Sequence, residues 1–167
     1  MKFGDLSNDP NKDYIFDIDK FVSFEGKTGP YIQYTGARIF SLLKKSGIFE
    51  TENIFIKENE KETLMTNSFL ETEKLININD KNQRAIAINF LKLQESYFAG
   101  FRVTSLSPIC NSLFDFASSF SKFYNDTRIL TEQDEIAKNS YLALCLLVLK
   151  VIKQASDVLA FEIPEKM

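Results

Sequence analysis

Between Thr28 and Gly47 the chain carries a start, a two-faced body and a stop for one helix. Pro30 suits the first turn, where its missing N–H costs no hydrogen bond, and Thr28 stands just ahead of it as a cap. Gly47 suits a left-handed stop. The spacing therefore predicts a helix over 30–46. At 3.6 residues per turn, Ile32, Gly36, Ile39, Phe40 and Leu43 gather on one side and read as core. Tyr31, Tyr34, Arg38 and Lys45 lie on another side. Two phenol rings, a guanidinium and an ammonium on one helical face can stack bases and meet phosphates. The same pattern also occurs on ordinary amphipathic surfaces.

Further along, Ile86, Phe90, Leu93 and Tyr97 recur at helical spacing, with Asp80 placed to cap that helix and Gly100 to end it. The next helix is expected to start at Ser105 or Ser107, with Pro108 in its first turn. Its stripe is Leu106, Ile109, Leu113, Phe116, Ala117, Phe120 and either Phe123 or Tyr124, closed by Asn125 and Asp126. Thr131 with Asp134 three residues on resembles an N-terminal cap. The last helix should then run to about Ala160. Ala137, Tyr141, Leu144, Cys145, Val148, Val151, Ile152, Ala155 and Leu159 form its stripe, which fits a buried core and, alternatively, a coiled-coil pair. Pro164 prevents continuation.

The remaining segments are less patterned. Residues 1–13 are polar and read as a loose lead-in, with Asp9-Pro10-Asn11 as a turn. Tyr14, Phe16, Phe21 and Phe24 supply apolar anchors around a short helix over 17–23. Asp17 and Asp19 fit solvated acids at that helix start better than a metal pair. Residues 48–61 carry mixed charge and suit a loop. A strand over 53–57 and a helix over 61–74 are weak alternatives there. No internal repeat is present. The sum is an all-α fold, a helical bundle of about five or six helices.

Composition narrows the chemistry. The chain has 167 residues, 44% hydrophobic and 26% charged, which suffices for one domain with a real core. No apolar run approaches the ~18–20 residues of a membrane span, and no apolar signal region follows Met1. There is no histidine, which excludes a Ser-His-Asp triad, a Cys-His pair and His-based zinc sites. No GxxxxGK phosphate loop occurs. Cys110 and Cys145 sit within apolar helical patterns and read as buried thiols rather than a disulfide. The net charge of −3 is not that of a typical nucleic-acid binder. Phosphate contacts would have to be local, from Lys27, Arg38, Lys44, Lys45, Lys122, Arg128 and Lys166.

The segment GPYIQYTGARIFSLLKK resembles the opening of the anticodon-binding (DALR-type) domain of class I arginyl-tRNA synthetases. Gly26, Thr28, Gly29, Pro30, Tyr31, Gln33, Tyr34, Ala37, Arg38 and Ser41 fit that family's G-x-x-GPY-x-QY-x-x-x-R pattern. Upstream, DYIFDIDKFVSFEG is similar to the run that joins the family's catalytic domain to this helix. Downstream, FYNDTRIL through FEIPEKM resembles the family's C-terminus, which ends in Met. The family often has Arg where Tyr141 stands and Gly where Ala160 stands.

This resemblance implies an anticodon pocket built from the opening helix, the end of the FY-bearing helix and the tail. Matched by motif, its residues are Tyr31, Tyr34, Arg38, Tyr124 and Met167. Splayed bases need such aromatic faces, with donors and acceptors for base edges. The implied partners are the anticodon loop of an arginine tRNA and the catalytic domain of the same synthetase, in the cytoplasm, with no membrane or DNA partner. Residues 1–24 would lead in from that catalytic part and 25–167 would form the domain. The HIGH-type and KMSKS-type segments of class I catalysis do not occur, so this chain alone is expected not to aminoacylate tRNA. It would hold no cofactor, ATP and arginine binding the absent catalytic domain. It reads most simply as a C-terminal fragment, or as a free-standing tRNA-binding or protein-interaction module. A small stand-alone enzyme is poorly supported, since Asp17/Asp19 and Asp134/Glu135 lack a nucleophile–base partner.

Overall fold

The computed structural model describes residues 2–10, 12–14, 17–47 and 76–167. The loop, strand and helix expected within 48–74, and the anchor Phe16, lie outside them. Among the described residues there are six helices: α1 Lys2–Leu6, α2 Ile18–Val22, α3 Gly29–Ser46, α4 Lys81–Val103, α5 Ser107–Asp126 and α6 Glu135–Val158. The all-α expectation holds. None of these helices is long and apolar enough to cross a membrane.

The helix boundaries follow local chemistry. Thr28 Oγ accepts the Tyr31 N–H at 3.2 Å, and Gly47 closes α3 at φ 66°. Asp80 caps α4 through a full capping box: its carboxylate accepts from the Asn82 and Gln83 N–H groups, while Gln83 reaches back to the Asp80 N–H. Asp134, rather than Thr131, caps α6, accepting the Ile136 N–H at 2.9 Å. Gly100 does not end α4, which continues to Val103 and stops on Thr104 at φ 52°. The bare Cα of Gly100 instead admits the chain turning into α5: Ser105 N–H donates to Gly100 O at 3.0 Å. A Cβ there would lie 2.8 Å from Ser105 O.

That turn folds α4 and α5 back on each other. Asn82 donates to Asp126 at one end, and Phe90 meets Phe116 midway. The pair is antiparallel and makes the most extensive helix contact among the described residues. Helix α6 packs on α3 and α5. Leu142, Ala143, Cys145, Val148, Leu149, Ile152 and Ala155 on α6 are all buried, more than one stripe's worth. It is therefore a central helix of this bundle, and its apolar face is filled without a coiled-coil partner. Phe116, Phe120 and Phe123 of α5 join Ile32, Ile39 and Leu43 of α3 in the same core. Fully burying one such Leu or Ile contributes about 1.5–3 kcal/mol.

Two further findings depart from the sequence reading. Residues 2–6 are not loose: α1 buries Phe3, whose ring meets Phe161 edge-on at 5.9 Å. On α4, Ile86 and Leu93 point inward as expected, but Ile88, Leu91, Phe98 and Phe101 leave a second apolar stripe exposed. Both cysteines are free and buried. Burial pushes the Cys110 thiol up to about 11 despite an opposing pull from Lys27, and raises Cys145 further. Neither carries thiolate at neutral pH.

After α6 the chain turns through Ala160 in the left-handed region, φ 55°. An L-residue there costs roughly 1–2 kcal/mol, partly offset because glycine loses more entropy on folding. Ala160→Gly should therefore raise stability by about 0.5–1 kcal/mol. Gly100→Ala should lower it by about 1–3 kcal/mol, since the obstructing atom is backbone. Denaturant unfolding of the two variants beside the parent checks both.

Candidate nucleic-acid interface

Helix α3 points its residues along fixed directions, about 100° apart per position. With Ile32, Ile39 and Leu43 fully buried, Tyr34 and Arg38 are turned to the rim, and Tyr34 is 45% exposed. Helix α5 ends alongside. Of the two adjacent rings at its end, Phe123 is buried and Tyr124 is rotated out, half-buried. The Arg38 guanidinium carbon lies 4.3 Å from the Tyr124 ring centroid and 5.5 Å from that of Tyr34. Both are within cation–π range. Among the described residues no carboxylate pairs with Arg38. Its planar fork of N–H donors thus lies between rings, with no acid among the described residues to neutralise it.

Tyr31 lies one turn earlier on the same side. Its ring packs against Phe114 at 5.3 Å, and its hydroxyl reaches Ser121 at 3.0 Å and Ser118 at 3.5 Å. It is half-buried and joins α3 to α5. The structure therefore brings Tyr34, Arg38 and Tyr124 into one cluster and places Tyr31 beneath its rim, within the helix interface.

The chain end follows another flank of α3. Gln33 Nε2 donates to Glu162 O at 2.8 Å, and the Ile163 side chain fills the space where Gly36 lacks a Cβ. Lys2 Nζ donates to Ala160 O at 2.8 Å. Gln33 and Gly36 lie about 140–200° round the helix from Tyr31, so the tail is docked away from the rings as far as Ile163. None of these contacts includes Met167, which is 54% exposed.

Phe24 belongs to this surface, although the sequence suggested only an apolar anchor. It is 56% exposed, and its ring meets Tyr34 at 6.2 Å with 78° between planes. Nothing in its spacing reveals this, because it lies before the helix. Gln33 and Gly36 as tail contacts were equally invisible, apart from the oddity of a glycine at a core-facing position. The basic residues Lys44, Lys45, Lys122 and Arg128 are exposed. Lys27 contacts Asn111 across the α3–α5 junction. By contrast, Tyr141 has its hydroxyl pKa raised by burial and by Glu132, Asp80 and Asp134, which mark an acidic flank.

The chain belongs to the DALR anticodon binding domain family, whose model matches residues 32–167. It is 36% identical over its full length to an arginine–tRNA ligase of Agathobacter rectalis, covering 26% of that protein. It is 35% identical to that of Alkaliphilus oremlandii, covering 25%. The chain thus spans about a quarter of the length of these curated relatives. The fold matches the crystal structure of the Plasmodium falciparum arginyl-tRNA synthetase with a TM-score of 0.78 over 99% of this chain and 26% of that one, at 22% identity. It matches the Thermus thermophilus arginyl-tRNA synthetase with a TM-score of 0.76, at 24% identity, over the same shares.

Tyr31 and Arg38 should separate by stability. Tyr31→Phe removes a hydroxyl bonded between helices and should cost about 0.5–1.5 kcal/mol. Arg38→Met should cost no more than about 1 kcal/mol, because a cation over partly exposed rings is worth little to folding. Urea titrations of both variants measure the difference.

Proposed function

We propose that this chain is the anticodon-binding part of an arginine–tRNA ligase and takes the anticodon loop of an arginine tRNA on the rim of α3. The carrying observation is the Arg38 guanidinium between Tyr34 and Tyr124, without an acidic partner among the described residues. A group so placed can donate to a phosphate or a base edge, while the flanking rings receive unstacked bases. Tyr34 and Tyr124 supply those faces. Tyr31 positions α3 against α5 and keeps the ring pair in register. Met167, on an exposed tip beyond Ile163, closes over a base when RNA is bound. The exposed Lys44, Lys45, Lys122 and Arg128 meet the loop's phosphates.

In this reading residues 1–24 lead in from a catalytic domain and 25–167 form the RNA-binding domain, to which the lead-in adds Phe3 in the core and Phe24 on the rim. The relatives, about four times as long, carry the name of the ligase reaction. That larger protein would bind ATP and arginine and work in the cytoplasm, with no DNA partner. A second reading, a protein-interaction module, is favoured by the exposed apolar stripe of Ile88, Leu91, Phe98 and Phe101.

Fluorescence anisotropy with a labelled arginine tRNA transcript and a non-cognate transcript decides between them. The chain should prefer the arginine tRNA and lose affinity as salt rises. Tyr34→Ala should cost about 1–3 kcal/mol of binding, the usual contribution of one stacked base. Arg38→Ala should weaken binding and flatten the salt dependence by about one phosphate contact. If a folded Tyr34→Ala, Arg38→Ala double variant binds as the parent does, the RNA site is elsewhere or the chain is a protein-interaction module.

A further inference from the structure

Phe24 stands on a turn that is fixed at both sides. Thr28 Oγ donates to Ser23 O at 2.6 Å, the Glu25 N–H donates to Ser23 Oγ at 3.0 Å, and the Thr28 N–H donates to Gly26 O at 3.0 Å. Gly26 closes the turn at φ 78°, a conformation other residues rarely adopt. The phenyl ring is therefore held out toward solvent by its backbone. It is not left there by disorder of packing. Its one described ring partner is Tyr34, met nearly at right angles.

The ring extends the rim cluster. Phe24 touches Tyr34, Tyr34 lies beside Arg38, and Arg38 lies over Tyr124. Four planar groups follow one another from the turn before α3 to the end of α5. The three already described carry hydroxyls or N–H donors, whereas a phenyl ring carries none. Two exposed rings at 78° form a corner. A flat base laid on the face of one presents its edge to the other, the edge-to-face arrangement that aromatic quadrupoles favour.

We infer that Phe24 is a stacking residue for a second unpaired nucleotide, the neighbour of the base held at Tyr34, Arg38 and Tyr124. The ligand is the π-face of any nucleobase in single-stranded RNA. With no donor or acceptor of its own, Phe24 adds affinity without base identity, and the rim takes two successive unpaired bases. This inference rests on the proposed RNA-binding function of the same rim.

The sequence contains no tryptophan, so Phe24→Trp creates a lone indole at the position in question. Titrated with an arginine tRNA transcript, its emission should be quenched by base stacking while affinity stays within about threefold of the parent, because stacking tolerates any aromatic face. Phe24→Ala should weaken binding about 5- to 100-fold and leave the salt slope unchanged, as no phosphate contact is lost. Phe24→Leu, which keeps apolar bulk without a π-face, should behave as Phe24→Ala does. An unquenched indole, or Phe24→Ala and Phe24→Leu binding as the parent while Arg38→Ala does not, overturns the role of Phe24 alone. If Arg38→Ala also binds unchanged, the RNA reading of the rim fails with it.

Discussion

Helix α3 is gripped from two sides, and every feature of the proposed RNA site inherits its placement from that grip. Ile32, Ile39 and Leu43 are sealed into the core. Tyr31 fastens one flank to α5, while Gln33 and Gly36 hold the chain end on the other. A helix locked on these faces has one free direction left, and Tyr34 and Arg38 occupy it. Rotation about the helix axis by one residue's angle, about 100°, would bury the cation or expose the core. Either error costs more than the rim gains, because an unpaired buried charge and a lost apolar contact are both expensive. The direction of the rim is thus a by-product of core packing.

The rim itself is weakly stabilised. A guanidinium over half-exposed rings contributes only about 0.5–1 kcal/mol. What the arrangement gives is order: three planar groups wait in fixed relation, and little side-chain freedom is lost when a partner arrives. That no carboxylate among the described residues pairs with Arg38 matters for the same reason, since an acid would have to be displaced before a phosphate or base could approach. The overall charge of −3 is compatible with this, because attraction depends on the local field and not on the sum of charges.

Among the described residues, two left-handed residues other than glycine stand at sharp turns. Thr104 reverses the chain between α4 and α5, and Ala160 directs it from α6 onto α3. Ala160 holds the left-handed conformation although its side chain disfavours it. Compensation comes from what the turn delivers: Phe161 against Phe3, the Lys2 bond to Ala160 O, and Ile163 in the notch at Gly36. Each contact is made between segments more than a hundred residues apart in sequence.

The sequence by itself determined every described helix but α1, and most of the core. Thr28, Pro30 and Gly47 bounded α3, Asp80 bounded the start of α4, and the three-and-four spacing picked out much of what is buried on α5 and α6, though not Leu142, Ala143 and Leu149. These are local matters of capping and periodicity, decided within a few residues. It also named Tyr34, Arg38 and Tyr124, through resemblance more than through pattern. Only the tertiary structure decided that Tyr124 rather than Phe123 faces Arg38, that Tyr31 belongs to a helix interface, and that Phe3 is core. It alone showed Gly100 as a point of close approach, not a stop, and Phe24 as part of the rim. The reason is geometric: which of two adjacent rings turns outward depends on what the neighbouring helix already fills, and periodicity carries no information about the neighbour.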